Sequence, residues 1–195
     1  MRMKKIILAS ASPRRKELLS QVGIGFTIQV AKGNEVCLRT KPDEVVKELS
    51  YQKAREVFDK GNRESIVIGA DTIVYLEGNI LGKPKDNAEW SRMLHNMQGK
   101  AHYVYTGVTV IWRDDVDNST HVLSFEENTK VYVHRMSDRE IDEYIPIGEA
   151  LVKAGGYGIQ GYFAKYIDRI EGDYNNVVGL PVAKLYQELK KMNLV

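Results

Sequence analysis

Ile6-Ile7-Leu8-Ala9-Ser10-Ala11-Ser12-Pro13-Arg14-Arg15-Lys16-Glu17-Leu18-Leu19 decides how this chain is read. The apolar run predicts a buried strand over Lys5–Ala9, and the amphipathic segment after it predicts a helix over Pro13–Val22. Ser12 stands where a helix is capped, and Pro13 suits the first helical position because its missing N–H would have been unpaired anyway. Arg14, Arg15 and Lys16 then crowd the first turn, at the helix end that already carries partial positive charge. An anionic ligand, phosphate above all, is the simplest explanation for guanidinium groups stacked on free N–H groups. The alternative is a solvated charged face that happens to begin a helix.

Working outward, 195 residues suit one domain with a real hydrophobic core. A formal net charge of +2, with both signs interspersed, argues against a nucleic-acid-binding face. Cys37 is the only cysteine, which excludes an intrachain disulfide and a cysteine-rich zinc site. No run approaches the ~20 apolar residues of a membrane span, and the apolar run before Ser10 is too short for a signal peptide. A cytoplasmic protein is expected.

The pattern alternates strand and helix. A second strand is predicted over Phe26–Val30. A helix over Pro42–Lys60 carries Val45, Val46, Leu49, Ala54, Val57 and Phe58 as its apolar stripe. Ser65–Ala70 reads as a central strand, and Ile73–Leu76 and Ile80–Leu81 flank a Glu77-Gly78-Asn79 turn. Asp86 with Glu89, and Ser137 with Glu140, have the spacing of capping boxes. Strands follow over Tyr103–Trp112, His121–Glu126, Val131–His134 and Phe163–Ile170, and Pro181 opens a last amphipathic helix. Helices mixed with long antiparallel-type strands predict α/β layers around a mixed sheet.

Two further segments carry chemistry. In Gly69-Ala70-Asp71-Thr72 the carboxylate of Asp71 is expected where a buried strand emerges, a costly place for an unpaired charge. A metal ion or a lysine partner is therefore expected there. Lys83 and Lys85 bracket Pro84 in the following loop, where Lys83 would hold a phosphate; a capped turn with solvated lysines is the other reading. In Lys153-Ala154-Gly155-Gly156-Tyr157-Gly158-Ile159-Gln160-Gly161, four glycines allow the backbone close to a ligand, and Gln160 offers a donor and an acceptor to a base edge. A structural turn is the usual alternative. Glu35, in a polar loop, reads from the residues alone either as a second carboxylate near a metal or, more commonly, as a solvated side chain; Lys53, among polar helix positions, reads as solvent-facing. His95, His102, His121 and His134 lack metal-ligand spacing.

Taken together, SASPRRKELL (residues 10–19), GADTIVYLEGNILGKPKD (69–86) and KAGGYGIQGYFAKYIDRIEGDYNNVVGLPV (153–182) resemble the Maf family of nucleoside triphosphate pyrophosphatases, essentially from end to end. The resemblance implies a single domain over residues 1–195. Its expected fold is similar to the inosine triphosphate pyrophosphatases, an elongated mixed β-sheet flanked by helices with a cleft between two lobes. It implies hydrolysis of a nucleoside triphosphate to monophosphate and pyrophosphate, dependent on a divalent metal cation such as Mg²⁺ or Mn²⁺. Asp71 would be the general base, with Glu35 its partner at the metal site. Arg14, Arg15, Lys53 and Lys83 would neutralise the triphosphate, and Ser10 would add a hydrogen bond. Arg14, Thr72 and Gln160 match the branch acting on dTTP and UTP, where the branch acting on 7-methyl-GTP differs at all three. The family's usual proline and aspartate before the glycine-rich segment are replaced here by Ala150 and Val152. The resemblance also suggests a homodimer and a link with arrest of cell division. The same reaction on 7-methyl-GTP or modified nucleotides, and a nucleotide-binding regulator without catalysis, are the competing readings.

Overall fold

The apolar run of the N-terminal stretch forms β1 (Ile6–Leu8), buried at every position. In the computed structural model, which describes residues 4–149 and 151–195, β1 lies between two parallel neighbours, β2 (Phe26–Ile28) and β3 (Ile66–Leu76). An interior parallel strand is covered on both faces, which explains a continuous apolar run instead of an alternating one. Parallel pairing requires long crossovers. Here α1 (Pro13–Gln21) and α2 (Pro42–Asp59) supply them.

The rest of the sheet is built from hairpins. β4 (Asn79–Leu81) folds back antiparallel on the end of β3 through Glu77 and Gly78, both at positive φ, as a tight two-residue hairpin turn demands. β5 (Ala101–Arg113) and β6 (Thr120–Val133) are joined by a turn in which Asp114 N–H donates to the Ser119 carbonyl at 2.8 Å. β7 (Ile167–Glu171) pairs antiparallel with β6, with an irregular register at Tyr132/Val133. The seven strands run in the order β2-β1-β3-β5-β6-β7, with β4 on β3. Helices flank this mixed sheet, as the sequence predicts.

Contacts group the chain into two compact units. The first holds residues up to Asp71, Thr106–Glu127 and Gly179–Val195. Its core joins Ala54, Val57 and Phe58 of α2 to Ile7, Val67 and Ile111 of the strands, and α6 (Val182–Lys191) belongs to it. The second holds Thr72–Tyr105 and Asn128–Val178. There α3 (Asn87–Met97), α4 (Asp138–Tyr144) and the short α5 (Tyr174–Val178) surround a core containing Trp90, Leu94, Tyr144 and Phe163. No described helix is long and apolar enough to cross a membrane.

Several local expectations are corrected. Ser65–Ala70 and Ile73–Leu76 are one strand, β3, and His121–Glu126 and Val131–His134 merge into β6. Tyr162–Tyr166 is a 3₁₀ turn, not the start of a strand, because it buries Phe163 and Tyr166 in the aromatic core. Ser12 occupies the cap position of α1, yet its side chain makes no capping hydrogen bond. Asp86 does cap α3, accepting from Glu89 N–H at 2.7 Å, but the Glu89 carboxylate reaches Lys85 N–H instead of closing the box. Of the two expected boxes, the one made by Ser137 and Glu140 is the complete reciprocal pair. On α2, the stripe position after Leu49 is a buried serine: Ser50 hydrogen-bonds Thr109 at 2.9 Å.

Candidate active site

The site begins with a close approach of α2 to β3. A Cβ on Gly69 would meet Ala54 N at 2.8 Å, so only glycine lets the helix lie so near the strand. Lys53, next to Ala54, is thereby brought against Asp71, two residues along from Gly69. Its ammonium pairs with the Asp71 carboxylate, and with Glu35 at 3.2 Å. The side chains of Lys53 and Asp71 are only 16% and 14% exposed. Lys53 is therefore not the solvent-facing residue that its polar neighbours imply. It is the lysine partner that a buried Asp71 calls for.

Asp71 itself lies mid-strand, not at a strand end. β3 pairs with β1 through Ile68 and with β4 from Val74, so residues 69–73 pair with neither.

The cationic turn converges on the same cluster. Arg15 Nε donates to the Gly179 carbonyl at 2.8 Å, and a second guanidinium nitrogen donates to Ser10 Oγ at 3.2 Å. Ser10, 7% exposed, also accepts from Ser12 N–H at 3.2 Å. Burial lowers the pKa of Arg15, against the attraction of Asp71 and Glu35 and with the repulsion of Arg14. Arg14, part-buried, is also lowered by burial, partly offset by Glu17. Ser10, Arg14, Arg15, Glu35, Lys53 and Asp71 thus gather within the first unit.

Thr72, Lys83 and Gln160 belong to the second unit. Thr72 is part-buried, whereas Lys83 and Gln160 are exposed. The Lys83 loop and the glycine-rich segment meet where Gly155 N–H donates to the Gly82 carbonyl at 2.9 Å. Gly155 and Gly156 both have positive φ, and a Cβ at either would strike Val74 or Trp90. At those two positions, close backbone approach serves the protein's own core: Trp90 Nε1 donates to the Gly156 carbonyl at 2.6 Å. Glu149, not singled out from the sequence, accepts from Tyr162 N–H at 2.8 Å and lies 3.7 Å from Lys153. Of the atypical stretch, Val152 is 72% exposed and Ala150 lies outside the described residues.

The histidines make contacts of their own. His102 is buried in the second unit, 2.7 Å from the Tyr157 hydroxyl, and burial lowers its pKa to about 4. His121 approaches Asp114 and Asp117, with potential ligand atoms within 4.8 Å of one another. Those carboxylates accept from Val116, Asp117 and Ser119 N–H groups, the pattern of a self-satisfied turn.

The fold is similar to that of a HAM1 protein from Coxiella burnetii, with a TM-score of 0.51 and 15% identity, covering 97% of this chain and 100% of that one. The class is thus that of Ham1-like α/β folds. Within it, the chain belongs to the Maf family: the model described as Maf-like protein matches residues 5–192. A dTTP/UTP pyrophosphatase of Agathobacter rectalis is 50% identical, covering 98% of this chain and 99% of its own. Another, from Lachnoclostridium phytofermentans, is 47% identical over 98% of this chain and 97% of its own.

Proposed function

We propose that this chain is a nucleoside triphosphate pyrophosphatase that converts dTTP and UTP to the monophosphate and pyrophosphate. Relatives of that name at about half identity over nearly the whole chain support the activity. The observation that carries the mechanism is the convergence of Arg15, Lys53, Glu35 and Asp71.

Phosphoryl-group chemistry of this kind rests on positioning and charge neutralisation. Arg14, Arg15, Lys53 and Lys83 bind the triphosphate, and Ser10 holds the Arg15 fork in place. Water attacks the α-phosphorus as its proton passes to an Asp71 carboxylate oxygen. The new P–O bond forms while the bond to the α,β-bridging oxygen breaks, and pyrophosphate leaves with that electron pair. Thr72 and Gln160, with Arg14, select the pyrimidine base. Two carboxylates sharing one ammonium are hard oxygen donors of the kind that bind Mg²⁺ alongside substrate phosphates, so Asp71 and Glu35 fit a divalent cation. Bound there, such a cation offsets phosphate charge and lowers the pKa of a coordinated water. A cytoplasmic setting, with nucleotide as the partner, suits this reading.

Asp71→Asn tests it: dTTP binding should persist while pyrophosphate release falls by ~10²-fold or more. A near-wild-type rate would remove Asp71 from the role. A nucleotide panel assayed with Mg²⁺ and Mn²⁺ should show dTTP and UTP preferred; preference for 7-methyl-GTP would overturn the substrate assignment.

A further inference from the structure

Glu35 sits in the connection between β2 and α2, which has no regular secondary structure. Ala31, early in this segment, packs against the core of the first unit, but around Glu35 burial gives little hold: Val36 is 64% and Leu38 92% exposed. There the segment is held by hydrogen bonds to one face of α2. Before Glu35, the N–H groups of Lys32 and Gly33 donate to the two carboxylate oxygens of Glu56, each at 2.9 Å. After Glu35, the Val36 backbone is gripped at both polar groups by the Gln52 amide. Val36 N–H donates to Oε1 at 3.2 Å, and Nε2 donates to the Val36 carbonyl at 2.6 Å. Gln52 and Glu56 are one helical turn apart on the same face of α2. Each is braced on its own helix, Gln52 by Glu48 at 2.9 Å and Glu56 by Lys60. Lys53, the partner of Glu35, follows Gln52 directly.

We propose that Gln52 and Glu56 are positioning residues, clamping the chain on either side of Glu35 to α2 so that its carboxylate stands beside Lys53 and Asp71. The proposal rests on Glu35 serving the metal site. It extends that reading to two residues which touch neither substrate nor metal. Groups that orient metal ligands through hydrogen bonds commonly matter nearly as much as the ligands themselves.

The test compares Glu56→Ala, Gln52→Ala and Glu56→Gln, each alone and in the Glu35→Ala background, with Glu35→Ala itself as control. One readout is amide hydrogen exchange at Lys32, Gly33 and Val36. The other is Mn²⁺ binding, followed by loss of the free-ion EPR signal with a non-hydrolysable dTTP analogue present. Glu56→Ala should speed exchange at Lys32 and Gly33 and weaken Mn²⁺ binding by about 10-fold. Glu56→Gln, keeping one acceptor oxygen, should recover part of the binding. In the Glu35→Ala background, Glu56→Ala should weaken Mn²⁺ no further. Faster exchange with unchanged Mn²⁺ binding, in a protein whose Glu35→Ala variant does bind Mn²⁺ weakly, overturns the clamp and leaves the function intact. Unchanged Mn²⁺ binding in Glu35→Ala itself overturns the role of Glu35, and the clamp with it.

Discussion

Lys53 and Ser10 show how much of this site depends on what individual side chains are bonded to. Lys53 holds two carboxylates at once, so its charge is matched before any substrate arrives. Ser10 is small and buried, and its hydroxyl accepts from both the Arg15 fork and Ser12 N–H. Ser10→Ala would leave both donors without this acceptor. A stability loss of about 1 kcal/mol is expected, read from the urea midpoint. Arg15 would keep its bond to the Gly179 carbonyl but lose orientation. KM for dTTP should therefore rise more than kcat falls, and an unchanged KM would show that Ser10 does not orient Arg15. Arg15→Lys should not rescue Arg15→Ala, because a single ammonium cannot reproduce a planar fork bonded at two edges.

Among the elements, the contact of α2 with β3 matters most. Gly69→Ala should cost roughly 1–3 kcal/mol through overpacking against Ala54 and should lower kcat by moving Lys53 from Asp71. Loss of stability without loss of kcat would separate the packing from the chemistry. This contact also marks the boundary of what sequence reveals. Ser137 and Glu140 are legible because a capping box is written within four residues and needs nothing distant. β1 and α1 are legible for a similar reason, since an apolar run followed by Ser-Pro carries its own boundary. The partnership of Lys53 with Asp71 is not legible from local pattern, because it arises from helix-on-strand packing between residues far apart in the chain. The same blindness makes Asp71-Thr72 look like the end of a strand. The strand continues past them to pair with β4, and Lys53 matches the charge of the carboxylate left within it. Phe163–Tyr166 fails for a different reason: aromatic residues favour strands in general, yet here tertiary burial turns them inward in a 3₁₀ turn. Resemblance to the family is what gives Glu35 and Lys53 definite roles, while Gln52 and Glu56 carry no motif at all.

For the molecule as a whole, acid should act through His102. Its pKa is lowered by burial from 6.5 to about 4 in the folded chain. Below pH 6.5 the unfolded chain therefore takes up a proton that the native state refuses. The stabilisation is complete above that pH and is lost as pH falls toward 4, amounting to about 3 kcal/mol at full extent. Urea midpoints measured between pH 7 and 4 should fall in the wild type and fall less in His102→Gln; equal slopes would remove His102 as the cause. On the same scale, β3 links chemistry to selectivity. A single peptide bond joins the residue assigned to proton abstraction, Asp71, to one assigned to choosing the base, Thr72. Any substitution that twists or shifts this stretch will be felt in turnover and nucleobase preference together. Breeding a variant for a different nucleotide would then proceed most freely through Gln160, which is assigned no part in holding the triphosphate or accepting the proton.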